Sequence, residues 1–154
     1  MRFAGYAAVF GRADRGGDVV RAGAFARSLK RGARSVPLLW QHETGKPIGR
    51  IDYLREDKRG LRVIARLSES RAGREAAALL GEGAVSGLSF GYRVREAKGP
   101  STGSAPADGV RELIEVDLVE VSLVTLPMQP RARVHALERG EGLISAAAPE
   151  SVGT

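Results

Sequence analysis

Residues 84–92 read AVSGLSFGY, an apolar strand pattern in which two glycines and two serines stand where a plain core strand carries valine or leucine. Glycine inside a strand marks a bulge, a tight bend or the close approach of another backbone. At a period of two, Ser89 shares a face with Gly87 and Gly91, so its hydroxyl stands in a gap between absent side chains. Such a gap can seat a nucleophile with a substrate backbone lying across it; it equally fits a strand that is only closely packed. Strand patterns recur on both sides of this stretch, and the chain reads as mainly β.

Upstream, residues 2–10 (RFAGYAAVF) form a strand pattern ended by Gly11, and a second short strand is expected over Val19–Arg21. Ala22, Phe25, Ala26 and Leu29 recur at helical spacing, which predicts an amphipathic helix of about two turns stopped by Gly32. Val36–Trp40 is an apolar run that leads into Gln41, His42 and a polar segment reaching Pro47. This reading places the His42 imidazole at the end of a rigid strand beside a flexible loop, where catalytic groups are often held. Ile48–Leu54 and Leu61–Leu67 pair as a hairpin, with Leu61, Val63, Ala65 and Leu67 alternating against Arg62, Ile64 and Arg66. Ser70 is placed to cap an alanine-rich helix that ends at Gly81 or Gly83.

Downstream, Ala97–Gly109 (AKGPSTGSAPADG) lacks apolar periodicity and is expected to be a mobile loop. Val110–Thr125 (VRELIEVDLVEVSLVT) is the strongest β pattern in the chain and contains Asp117 and Glu120. A carboxylate in an apolar strand calls for a partner. Three positions apart on a regular strand, the two acids point to opposite faces, so at most one can join a given site. His135 has no chemical company in sequence and is read as a surface residue. Residues 138–154 have little to bury and are expected to be a disordered tail, leaving one domain over 1–137.

Composition narrows the function classes. A chain of 154 residues fits one domain with a real core. No apolar run has transmembrane length and the first residues turn polar too soon for a signal peptide, so a soluble protein is expected. The absence of cysteine excludes disulfides and thiol chemistry. A zinc site has only His42 and His135 to draw on, and no cofactor or metal is expected. Residues 1–50 hold ten Lys or Arg against three Asp or Glu, and the rest fourteen against fifteen. This basic bias can steer an acidic partner, but the charges are scattered and lack interleaved aromatics, so no nucleic-acid role is expected.

A histidine at a strand end, a serine between glycines and an acid in the last long strand follow in that order. A serine hydroxyl needs an adjacent base, and the base needs a third group to hold its tautomer. The stretches GYAAVFG, GDVVRAGAFARSL, LLWQHETGKPIGR, GAVSGLSFGYRV and LVEVSLVTLPMQPRA together resemble the prohead (capsid maturation) proteases of tailed phages and gene transfer agents, a family related in fold to the herpesvirus assemblins. The resemblance runs from about Phe3 to Arg133. It implies a small, mainly antiparallel β-barrel of about seven strands with two or more flanking helices. It also implies that His42 is the catalytic base and Ser89 the nucleophile, with Ser86, on the other face, as the nearest alternative. Assemblins use a second histidine as third member, whereas prohead proteases carry an acid there; by position that acid is Glu120, with Asp117 as runner-up. The implied activity is that of a serine endopeptidase cutting scaffold, or the scaffolding segment of the major capsid protein, and itself, inside the procapsid assembling in the bacterial cytoplasm. A catalytically inactive scaffold-binding relative is the alternative. Homodimerisation occurs among the assemblins, and this sequence does not decide it.

Overall fold

The computed structural model describes residues 1–99, 110–139 and 143–144. In chain order these form β1 (Arg2–Val9), β2 (Asp18–Val20), α1 (Ala26–Leu29), a 3-10 turn at Ala33–Ser35, β3 (Pro37–Trp40), β4 (Glu43–Glu56), β5 (Gly60–Leu67), α2 (Arg71–Gly81), β6 (Gly87–Lys98), β7 (Arg111–Val124), β8 (Val134–Glu138) and β9 (Leu143–Ile144). All nine strands belong to one sheet, in the order β2-β7-β3-β4-β5-β1-β8-β9, with β6 on the free edge of β7. Six ladders are antiparallel, while β2 and β3 run parallel to β7.

The sheet rolls until its two ends nearly meet. The start of β6 touches the segment entering β8 through a bridge between Gly87 and Arg133. Leu88 N–H donates to the Ala132 carbonyl at 2.8 Å and Val134 N–H to the Ser86 carbonyl at 2.9 Å. β6, β7, β3, β4, β5, β1 and β8 thus make an incompletely closed seven-strand barrel, and rolling leaves few strand edges bare. Gly5 permits the closure, because a Cβ there would lie 2.4 Å from the Arg133 carbonyl oxygen.

Alternation in β5 places Leu61, Val63, Ala65 and Leu67 inside, where they meet Phe3, Leu38, Ile51 and Leu123, all nearly or fully buried. Each such side chain contributes roughly 1.5–3 kcal/mol on burial. A largely buried ion pair ties β2 to β7: Arg111 donates from Nε and Nη2 to the two oxygens of Asp18, each at 2.8 Å, and Tyr92 OH adds a third hydrogen bond at 3.0 Å. Helix α2 starts where expected, with the Ser70 hydroxyl accepting from Gly73 N–H at 3.1 Å, and leaves through Gly83 at φ +80°.

Several expectations change. The two-turn helix after Ala22 is a single turn, because Gly23 has φ +92° and Ala24 and Phe25 are consumed by a turn whose side chains plug the core. Polar residues 43–47 are strand rather than loop: β4 begins at Glu43, so only Gln41 and His42 separate it from β3. Asp117 and Glu120 do not point to opposite faces. Across β6, Gly91 opposes Glu120 and Tyr92 opposes Leu118, so Val119 is an extra, bulged residue. A bulge shifts the period-two phase by one. Val116 and Leu118 face the core on one side of it, Val121 and Leu123 on the other, and both acids end on the outer face. Most of the expected loop at 97–109 and of the tail at 138–154 lies outside the described residues; Ala97 and Lys98 extend β6, and Leu143–Ile144 pair with Leu137 and Glu138.

Candidate active site

The outer face of the β6–β7 pair carries three stacked cross-strand pairs: Gly87 with Val124, Ser89 with Ser122, and Gly91 with Glu120. The β6 members are small, so a shallow strip without large side chains runs along the strand. Gly91 is required there, since a Cβ would fall 2.5 Å from Glu120 Oε1. β3 borders the other side of β7, with Leu39 beside Ser122 and Trp40 beside Leu123. The chain then turns over the strip.

That turn is the two-residue link Gln41–His42, with φ +50° and +62°. Left-handed backbone at a two-residue hairpin turn matches strand twist, and histidine tolerates it better than most side chains. The cost, about 1–2 kcal/mol per residue, is offset by a clamp onto β7. Gln41 N–H donates to the Leu123 carbonyl at 2.9 Å, its side-chain amide donates to Thr125 Oγ1 at 2.6 Å, and its amide oxygen accepts from Thr125 N–H at 3.1 Å. His42 N–H donates to Ser122 Oγ at 3.0 Å.

With the backbone pinned, the imidazole leans onto Glu120 and joins its Nδ1 to Oε1. The other carboxylate oxygen accepts from Ser122 Oγ–H at 2.6 Å. Ser122 therefore holds both partners at once, accepting from the His42 backbone and donating to Glu120. The carboxylate is only 7% exposed at its side chain, whereas the imidazole is 41% exposed. The hydrogen bond to Glu120 raises the His42 pKa above its ordinary value against the opposing effect of burial, and the carboxylate's charge adds to the rise. Nδ1–H toward the carboxylate leaves Nε2 as the ring's lone-pair nitrogen.

Ser89 lies directly across from Ser122 on the same face, a pairing that puts Cβ atoms about 4.5–5.5 Å apart. It is buried, at 5% exposed. Its hydroxyl makes no hydrogen bond to His42 or to any other described residue, nor is it sealed from solvent. Asp117, two residues before the bulge, is drawn off by Arg95, whose Nε donates to it at 2.8 Å. Ser86 lies back from the strip, its hydroxyl accepting from Arg133 at 3.1 Å. His135 is exposed, with its ring 5.8 Å from that of Tyr6 and its pKa lowered by burial and by Arg62 and Arg59. Sequence reasoning passed over Ser122 and Gln41 as parts of this site, and placed Gly91 beside Ser89 without its contact to Glu120. The one signal for Ser122 was its spacing of two from Glu120.

A rolled sheet of this order, with the chain crossing over its β6–β7 face, defines a protein of the herpesvirus-protease fold. The structure is similar to that of the bacteriophage T4 capsid assembly protease, with a TM-score of 0.62 and 15% identity over 82% of each chain. It is similar also to KSHV protease, solved with a hexapeptide phosphonate inhibitor, with a TM-score of 0.54 and 14% identity over 90% of this chain and 65% of that one. In sequence, 143 residues are 34% identical to the prohead protease of Enterobacteria phage HK97, covering 92% of this chain and 62% of that protein. Residues 1–143 match the Caudovirus prohead serine protease family, and the chain belongs to it.

Proposed function

We propose that this chain is a serine endopeptidase of capsid maturation in which Ser89 is the nucleophile, His42 the general base and Glu120 the acid that orients the base. The observation that carries the reading is the link from Ser89's cross-strand neighbour Ser122 to both the His42 backbone and the Glu120 carboxylate. His42 Nε2 takes the Ser89 proton as Oγ attacks a peptide carbonyl, and the resulting imidazolium returns it to the leaving amine. Glu120 stabilises that cation and keeps Nδ1 protonated throughout. Ser89 and His42 do not hydrogen-bond among the described contacts, and in serine proteases that contact commonly forms or tightens as substrate binds. Asp117 is left out of this reading because Arg95 already neutralises it.

The substrates proposed are the scaffold, or the scaffolding segment of the major capsid protein, and the protease itself. Membership of the prohead protease family supports this choice. Among the described residues no helix is long and apolar enough to cross a membrane. The test is to incubate purified protein with its major capsid protein and follow fragments by mass spectrometry. Cleavage that disappears in both Ser89→Ala and His42→Ala carries the proposal; cleavage that persists in either overturns it, and cleavage by neither wild type nor variants assigns the chain to a structural role.

A further inference from the structure

A cavity of about 170 Å³ is lined by the end of β1, the segment leading into β2, β2 itself, β6 and Met128–Gln129, with Ser89 in its wall. Its size is close to that of cavities of roughly 150 Å³ that admit a benzene ring. Val9, Val20, Leu88, Phe90 and Met128 give it an apolar lining, and Asp14 and Asp18 stand on the same wall. The two acids differ in an informative way. Asp18 is saturated by Arg111 and Tyr92. Asp14 forms no ion pair among the described residues, although the charge of Arg111 acts on it: its Oδ1 accepts from Gly16 N–H at 2.8 Å and Asp18 N–H at 3.0 Å, and no described donor reaches its second oxygen. Arg12, the other charged residue on the wall, is exposed to solvent and makes no ion pair with it. Burial pushes the Asp14 carboxyl above its ordinary pKa and the Asp18 charge adds to the rise, against the Asp18 and Gly16 N–H groups and the Arg111 charge.

We infer that this cavity receives the substrate side chain immediately before the cleaved bond, and that Asp14 selects a long aliphatic side chain ending in a cation, lysine or arginine. The inference rests on Ser89 being the nucleophile. An aliphatic stem fits the apolar wall while its charged tip meets the unused Asp14 oxygen, the combination that lets such side chains bury their length and keep their charge satisfied. A short apolar side chain fills less of the space and leaves the carboxylate unmatched. An acidic one adds a like charge.

The probes that test this are diphenyl aminoalkylphosphonates with Lys-like, Leu-like or Glu-like side chains. On reaction the Ser89 Oγ–phosphorus bond forms, one phosphorus–phenoxide bond breaks, and phenol departs with the serine proton delivered through His42. Labelling of Ser89 is followed by intact-mass and peptide mass spectrometry. The Lys-like probe is expected to react at least about tenfold faster than the Leu-like one, the size of one charge-assisted hydrogen bond. Asp14→Asn keeps the Oδ1 acceptor for the Gly16 and Asp18 amides and is expected to bring that ratio close to one. A fastest rate for the Leu-like or Glu-like probe in the wild type, or a Lys preference that survives Asp14→Asn, overturns the inference and leaves Ser89 as nucleophile. Labelling of Ser89 by none of the three overturns the nucleophile assignment, and the inference with it.

Discussion

Exchanging Glu120 for glutamine tests the reasoning about the site most directly, because it removes a charge and reassigns a proton with little change of shape. In the wild-type protein both carboxylate oxygens accept, one from His42 Nδ1–H and one from Ser122 Oγ–H. The Ser122 hydroxyl accepts from the His42 amide and donates its proton to residue 120. A glutamine that keeps its oxygen toward Ser122 turns its NH2 toward Nδ1. That forces the proton onto Nε2, where the ring can no longer accept from Ser89. In the best-studied serine protease triad the corresponding wrong-tautomer exchange lowers kcat about 10⁴-fold. The flipped glutamine keeps the tautomer but loses a hydrogen bond to a charged partner. That bond contributes about 1.5–3 kcal/mol, or roughly 10- to 150-fold in rate. Glu120→Gln should therefore lower kcat/KM by between about 10-fold and 10⁴-fold.

The residual activity should shift with pH in a defined direction. Glu120 raises the His42 pKa, so the wild-type imidazole gives up its proton at higher pH than an ordinary histidine does. Without the carboxylate, the acid limb of the rate profile should move to lower pH. Because the folded-state pKa is the raised one, the stability this pair contributes is fully present below the unfolded value and fades as pH rises through the folded one. Glu120→Gln should accordingly destabilise the protein more at mildly acidic pH than at alkaline pH. The assay is kcat/KM on a capsid-derived peptide across pH, with urea unfolding at matched pH values. A loss of less than about threefold with an unmoved acid limb would refute the role given to Glu120. Asp117→Asn, which loosens only a partly exposed pair with Arg95, should leave the profile unchanged.

Gly91→Ala should cut activity at least about tenfold, because its Cβ falls 2.5 Å from Glu120 Oε1 and must push the carboxylate off His42; a crystal structure of the variant with the His42–Glu120 contact intact counts against this. Ser89→Ala should abolish cleavage and leave urea stability within about 0.5 kcal/mol, since the hydroxyl removed has no hydrogen-bond partner among the described residues. A large loss of stability would mean that the hydroxyl is structural. Asp18→Asn breaks the pair with Arg111 and should cost about 3–5 kcal/mol in equilibrium unfolding. The Asp18 pKa is lowered by the hydrogen bonds from Arg111. Its stabilisation is therefore present above the ordinary carboxylate pKa and lost as pH falls through the depressed one, so the gap between wild type and variant should narrow only in strong acid.

Much of the molecule was legible from local pattern. Alternation over Leu61–Leu67, the Ser70 cap and the long apolar run before Leu126 each depend on neighbours a few residues away, and each appears where the pattern put it. The glycine-flanked Ser89 and the strand-end His42 were visible for the same reason: their residue types are unusual for their local setting. Pairing Glu120 rather than Asp117 with His42 was implied by family resemblance, and a purely local argument about strand parity went astray over their faces.

What local pattern could not supply was register, since a bulge is a mismatch between two strands and belongs to neither sequence alone. The extra residue at Val119 appears only against β6, where it sets both acids on the outer face and lets the Arg95 partnership separate them. The turn at Gln41–His42 is likewise unreadable from a polar segment, because its left-handed backbone is held by Leu123, Ser122 and Thr125, about eighty residues further on. Composition and periodicity, then, determined a β-rich chain and named the chemically unusual side chains. Which of them meet was decided by cross-strand hydrogen bonds between distant segments, whose geometry exists only once the sheet has rolled up.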